Sequence, residues 1–168
     1  MRAHSIETRR LGTADTDAFR AILVEALERH PDAFWSSPEE EIGLPYAEAL
    51  KRMEEAYVVG GFLDGALAGI AVYVRRPFNK LRHKGVLAIL YVREAARGTG
   101  LADALMERVA DRAGREAEEL ILNVAAGNER AIRFYRRWGF EAYGVEPRCV
   151  RLPSGECLDE VLMAKRLR

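Results

Sequence analysis

The stretch Val86 to Leu105, VLAILYVREAARGTGLADAL, decides how the rest of the chain reads. Its apolar run from Val86 to Val92 has the composition of a buried strand, and the spacing of Leu101, Leu105 and Val109 beyond it is that of a helix face. Between them lies the turn Arg97-Gly98-Thr99-Gly100. Glycines between a strand and a helix let backbone N–H groups approach a ligand, and the unpaired first-turn donors, aided by the helix dipole, suit an anion such as phosphate. The turn is neither a dinucleotide fingerprint nor a P-loop. Four residues separate it from the strand, Asp103 stands where a third glycine belongs, and no Gly-Lys-Ser/Thr follows.

The helix after Gly100 is expected to end near Gly114 as its C-cap, and Leu120 to Ala125 reads as a second buried strand. Strand, helix and strand make a βαβ unit, so the two strands are expected to be parallel, with a ligand beyond their carboxyl ends. Asn128 then caps a helix carrying Ala131, Phe134, Tyr135 and Trp138 on one face and stopping at Gly139. Phe140 to Val145 and Cys157 to Met163 are expected to form a closing hairpin. Upstream, Asp64-Gly65 joins the strands Tyr57 to Leu63 and Leu67 to Arg75 in an antiparallel hairpin. Ser5 to Leu11 reads as a first strand, and helices are expected from near Thr13 or Asp15 to His30, at Ser37-Pro38-Glu39, and after Pro45.

The chain has 168 residues, 49% of them apolar, which fits one domain with a sizeable core. Lys plus Arg and Asp plus Glu number 26 each, so charge points neither to nucleic acid nor to a membrane surface. The segment MRAHSIETRR has no apolar signal core and no run approaches membrane-spanning length, from which a cytoplasmic location is expected. Cys149 and Cys157 read as free thiols, and His4, His30 and His83 match no metal spacing.

Arg97-x-x-Gly100-x-Ala102 resembles the acyl-CoA pyrophosphate loop of the GNAT N-acetyltransferase superfamily, and Asn128-x-x-Ala131-x-x-x-Tyr135-x-x-x-Gly139-Phe140 resembles its second signature. Asp64-Gly65 with Gly69, and the strand ending Leu90-Tyr91-Val92, fit in the same order, so the resemblance covers roughly residues 58 to 140. It implies a mixed α/β (α+β) fold: a mostly antiparallel twisted sheet flanked by helices and splayed at a central parallel pair, with acetyl-CoA in the splay.

By that resemblance, the backbone of the turn Arg97, Gly98, Thr99, Gly100, Leu101 and Ala102 would hold the pyrophosphate, and Leu90, Tyr91 and Val92 would pair with the pantetheine arm. Asn128 would contact the cofactor, and Tyr135 would face the thioester sulfur. An alkyl amine with a pKa of about 10 is mostly protonated at neutral pH, so the reaction needs a route for that proton. His83 and the acidic group Glu39 to Glu41 are candidates for the base, which stays unassigned. Phe34, Trp35 and Glu41 are candidates for reading the acceptor, as an apolar or cation-binding wall and an ammonium attractor. The expected activity is direct acetyl transfer to a primary amine, on a small molecule in the first instance. A protein N-terminus or lysine as acceptor, a silent acyl-CoA-binding domain, and homodimerisation all stay open.

Overall fold

The computed structural model of the chain describes residues 4–168; Met1 to Ala3, the start of the segment read for a signal core, lie outside the described residues. Seven strands form one sheet: β1 (Ile6–Arg10), β2 (Tyr57–Leu63), β3 (Ala66–Arg75), β4 (Lys84–Val92), β5 (Glu119–Ala125), β6 (Glu141–Arg151) and β7 (Cys157–Arg166). Their spatial order is β1-β2-β3-β4-β5-β7-β6, and every neighbouring pair is antiparallel except β4 with β5. Five α-helices flank it: α1 (Thr16–Arg29), α2 (Pro38–Gly43), α3 (Tyr46–Glu55), α4 (Leu101–Glu116) and α5 (Glu129–Arg137).

Each face of the sheet carries its own core. Leu101, Leu105 and Val109 of α4 pack with Leu120, Leu122 and Met163, whereas Phe19, Ile22 and Leu27 of α1 pack with Met53, Ile70 and Tyr91. All of these side chains are buried. The β2–β3 hairpin turns at Asp64 (φ +50°) and Gly65 (φ +84°), the paired left-handed geometry that an Asp-Gly turn favours. α2 opens on a capping box, in which the Glu40 N–H donates to Ser37 Oγ at 3.2 Å and the Ser37 N–H to Glu40 Oε2 at 2.7 Å.

The parallel pair is short. β4 meets β5 only at Lys84↔Glu119, Gly85↔Leu120 and Val86↔Ile121, after which the two strands separate. At that closed end the Tyr73 ring of β3 covers Gly85 so closely that a Cβ there would overlap it. A register shift between Val72 and Tyr73 leaves Ala88 of β4 unpaired with β3 just where the gap begins.

Two sequence expectations change. Gly114 does not cap α4: Ala113 and Ala117 are both buried against the sheet, the Ala117 N–H donates to Ala113 O at 2.8 Å, and this packing carries the helix past the glycine to Glu116. The closing hairpin is also longer than expected, reaching Arg151 in β6 and Arg166 in β7. β6 is an edge strand, so its outer face can be polar and it tolerates Pro147 at an irregularity between Glu146 and Val150. No helix among the described residues is long and apolar enough to cross a membrane.

Candidate active site

Where β4 and β5 part, a cleft of about 830 Å³ opens between their carboxyl ends, the start of α4 and the face of α5. The turn before α4 needs glycine for its backbone: Gly98 has φ +76° and Gly100 φ +95°, both left-handed. Among the described residues, the N–H groups of Gly98, Thr99, Gly100, Leu101, Ala102 and Asp103 have no hydrogen-bond acceptor in the protein. That is a row of unpaired donors at the positive end of a helix dipole, a fit for a diphosphate. Arg97 contributes differently from the expectation: its N–H already donates to Glu94 O at 3.1 Å. Its guanidinium bonds His30 Nε2 at 3.1 Å and Val92 O at 3.4 Å, placing a cation on the cleft wall.

Two side chains fix this turn from below. Thr99 Oγ1 donates to Ala96 O at 2.7 Å, and Leu101 is fully buried in the core. Asp103, in the first turn of α4, would oppose an anion, but Arg137 holds it at 2.8 and 3.2 Å and Trp138 Nε1 donates to it at 2.9 Å. The hydrogen bonds from Arg137 keep its carboxyl below the usual carboxylate range.

Leu90, Tyr91 and Val92 border the cleft along the unpaired edge of β4. Tyr91 also turns its buried side chain to the α1 face, where its hydroxyl donates to Glu25 at 3.0 Å and Arg93 bonds the same carboxylate. Burial pushes the Glu25 carboxyl up, yet the bonds from Arg93 and Tyr91 outweigh it and the net shift is downward. Across the cleft, Asn128 Oδ1 accepts the Ala131 N–H at 3.2 Å, so its capping role leaves the side-chain NH₂ free.

Tyr135 points its ring into the same cleft, against Phe134 and Phe140 at centroid distances of 5.5 and 5.7 Å. Among the described residues its hydroxyl has no hydrogen-bond partner, and desolvation pushes its pKa well above the ordinary tyrosine value. It stays neutral, as a donor.

A second cleft of about 260 Å³ lies on the α1 side of the sheet opening and shares Ala33 and Phe34 with the first. Trp35 borders it, largely exposed, with Nε1 donating to Glu160 Oε1 at 2.9 Å. Glu41 borders it too, but as a buried ion pair: Arg52 grips both oxygens at 2.6 and 2.9 Å, and Arg20 lies 3.7 Å away. Glu41 is therefore matched already, and Glu40 serves its capping box, so this group does not form a free acidic trap. His83 lies at the start of β4, exposed and lining neither cleft, with its carbonyl accepting the Glu118 N–H at 2.8 Å. It stands at the opposite end of the strand from Val92, too far to serve as base.

Sequence reasoning missed Glu160 and Asn123, which meet in the second cleft with Asn123 Nδ2 donating to Glu160 Oε2 at 3.1 Å. A signal existed. Glu160 occupies the same strand phase as Leu158 and Leu162, an acid where the alternation calls for an apolar residue.

The GNAT acetyltransferase family model matches residues 19–140, which include both the glycine turn and Tyr135. The chain belongs to the GNAT acetyltransferase family. Among solved structures, this GNAT chain resembles a GNAT-family acetyltransferase from Streptococcus pneumoniae, at 23% identity over 96% of this chain and 99% of that one, TM-score 0.82. It also resembles yncA from Salmonella typhimurium, solved with its cofactor acetyl-CoA, at 23% identity over 98% and 95% of the two chains, TM-score 0.83. A ribosomal-protein-alanine N-acetyltransferase from Brucella melitensis shares 30% identity over 95% and 99%, TM-score 0.78. No curated protein sequence matches. The splayed sheet of this GNAT member is thus the family's fold, and its larger cleft lies where β4 and β5 part.

Proposed function

We propose that the chain, acting as one catalytic domain, transfers the acetyl group of acetyl-CoA directly to the primary amine of a small molecule. The observation that carries this reading is the row of unpaired N–H groups from Gly98 to Asp103 at the edge of an 830 Å³ cleft in a GNAT fold. The acetyl-CoA of the yncA structure supports the choice of anion. Gly98, Gly100, Leu101 and Ala102 would hold the pyrophosphate through their N–H groups, with the Arg97 guanidinium beside them, and Asn128 would bond the pantetheine arm through its free NH₂.

The chemistry then needs an amine without its proton, a polarised thioester carbonyl and a stabilised leaving thiolate. The amine nitrogen attacks the thioester carbon, the C–N bond forms, the C–S bond breaks and the electron pair leaves on sulfur, while the proton lost from nitrogen passes to solvent in the open cleft and solvent returns one to the thiolate. A donor held against the developing oxyanion is worth a few kcal/mol, and backbone N–H groups on the open edge of β4, Val92 among them, are suited to it. Tyr135 serves the sulfur as a hydrogen-bond donor and not as a full acid. A thiol has a pKa near 8.5, a tyrosine near 10, and burial moves Tyr135 further up, so complete transfer is uphill by more than about 2 kcal/mol.

A small acceptor is favoured by the size of the second cleft, about 260 Å³, closed by the Glu41–Arg52 pair on one side. Acetylation of a protein N-terminus is the second reading, since the relative from Brucella melitensis carries that name. Free thiols at Cys149 and Cys157 support the cytoplasm as its setting. The test is acetyl-CoA turnover, followed by thiol release and product mass, over a panel of small primary amines and peptides with an N-terminal alanine. Turnover with amines and none with peptides is expected; turnover with peptides alone selects the second reading, and neither, with acetyl-CoA still bound, marks a silent binding domain.

A further inference from the structure

The described residues bury two acids, Glu41 and Glu160. Glu41 has its cations in Arg52 and Arg20. Glu160 is only 5% exposed and has no ion-pair partner among the described residues; its hydrogen-bond partners are neutral donors, and the residue opposite it on β6 is another acid, Glu146. Trp35 Nε1 serves Oε1 at 2.9 Å, while Asn123 Nδ2 and Cys149 Sγ both serve Oε2 at 3.1 Å. Indole and amide N–H groups can only donate, one to each oxygen, which is the pattern an ionised carboxylate requires.

The Cys149 thiol completes the set. Desolvation, with Glu160 beside it, pushes its pKa up to about 12, so it keeps the proton it donates. The bulge that aims Cys149 inward is itself pinned, because the Arg148 N–H, at φ +55°, donates to Asp159 Oδ1 at 2.8 Å. Four elements therefore converge to hold one negative charge: the segment before α2, β5, β6 and β7.

Neutral donors stabilise a buried carboxylate but do not cancel its charge, and such charges ordinarily acquire a counter-ion. A carboxylate offers about four lone-pair positions. Three are filled here, and the residue borders the second cleft beside Leu23, Leu27, Phe34 and Ile89. The arrangement is an anionic point in a small chamber walled by those apolar side chains and, on one side, by the mutually neutralising Glu41–Arg52 pair, matched to a guest with a cationic end and a short apolar body.

We propose that Glu160 binds the ammonium group of the acceptor, making this enzyme selective for small cationic primary amines with an apolar side. The inference rests on the reading of the second cleft as the acceptor site. Glu160 is a recruiting and specificity residue, holding the ammonium by charge and hydrogen bonding, and it is not assigned as the base that takes the amine's proton.

The test measures binding of phenethylammonium and of neutral phenethyl alcohol to the full chain without acetyl-CoA, by calorimetry, with acetyl-CoA titrated separately. The wild type is expected to prefer the ammonium at least tenfold, Glu160→Gln to lose that preference, and Glu160→Asp to retain most of it. Acetyl-CoA affinity should be the same in all three. In parallel, the indole N–H resonance of Trp35 in the wild type should shift with phenethylammonium and not with the alcohol, with Trp138 as the internal reference; this arm stands even if Glu160→Gln fails to fold. Equal binding of the two probes by wild type, an unchanged preference in Glu160→Gln, or a Trp35 resonance that does not move would overturn the proposal. Loss of acetyl-CoA binding in every form would instead overturn the proposed function and leave the ammonium site standing.

Discussion

The two clefts are built from different materials. The larger offers mainly backbone to an anion, through a glycine turn, a helix N-terminus and an unpaired strand edge that all lie between Val86 and Asp103, with side chains such as His30, Phe34 and Tyr135 on its walls. The smaller is made of side chains that meet across the chain, with Trp35 and Glu160 being 125 positions apart. Backbone sites bind what many proteins share, and side-chain sites bind what one protein selects. A substitution should therefore strike the first through conformation and the second through chemistry.

The largest effect is expected from Gly100→Glu. At φ +95° any side chain is strained, and a carboxylate there would repel the pyrophosphate that the turn is proposed to hold. Acetyl-CoA affinity should fall by on the order of a hundredfold or more, read by calorimetry on a folded variant. Unchanged affinity would break the contrast, by showing that the backbone turn is not where the cofactor sits.

Next comes Tyr135→Phe, which should lower kcat by about 10² while leaving the Kd for acetyl-CoA close to the wild-type value. Because burial raises the Tyr135 pKa, the neutral donor persists as pH rises, and the wild-type rate should show no descending limb from this group at or below about pH 10. A limb near pH 8 to 9 that vanishes in Tyr135→Phe would assign a lowered pKa and a true acid role to this residue.

On the acceptor side, Glu41→Gln leaves Arg52 and Arg20 facing a neutral group in a buried setting, and should cost about 3 kcal/mol of stability in denaturant titration. An acceptor KM that rises tenfold without loss of stability would instead make Glu41 a substrate residue. The smallest effect is expected from Trp35→Ala, which removes one hydrogen bond to Glu160 and one wall of the cleft. Its acceptor KM should rise about tenfold, in line with a bond to a charged group, with the acetyl-CoA KM unmoved. Equal change in both constants would merge the two clefts into one functional unit.

The same division explains what could be read from sequence. Asp64-Gly65, Ser37-Pro38, Asn128 and the Gly98–Gly100 turn act through local backbone rules, and each stands where its local signal puts it. Gly114 fails as a cap because burial of Ala113 and Ala117 overrides a local signal, and β6 extends beyond its apolar signal because an edge strand carries a weak apolar pattern. Glu41 shows the limit most clearly, because nothing near it in sequence says that Arg52 will take both its oxygens. His83 is the opposite case: it precedes the amino end of β4, so an expected ligand at the carboxyl end already set it apart. Glu160 was legible only as a break in alternation.

The gap between β4 and β5 has one more consequence. Beyond Val86↔Ile121 the middle of the sheet lacks its rungs, so in the proposed complex the pantetheine arm becomes a surrogate strand and the cofactor completes the fold. Binding and folding are then linked, and at a concentration one hundred times Kd the ligand should add about 2.7 kcal/mol to the unfolding free energy. A rise in the unfolding midpoint on adding acetyl-CoA is the expected sign of that linkage.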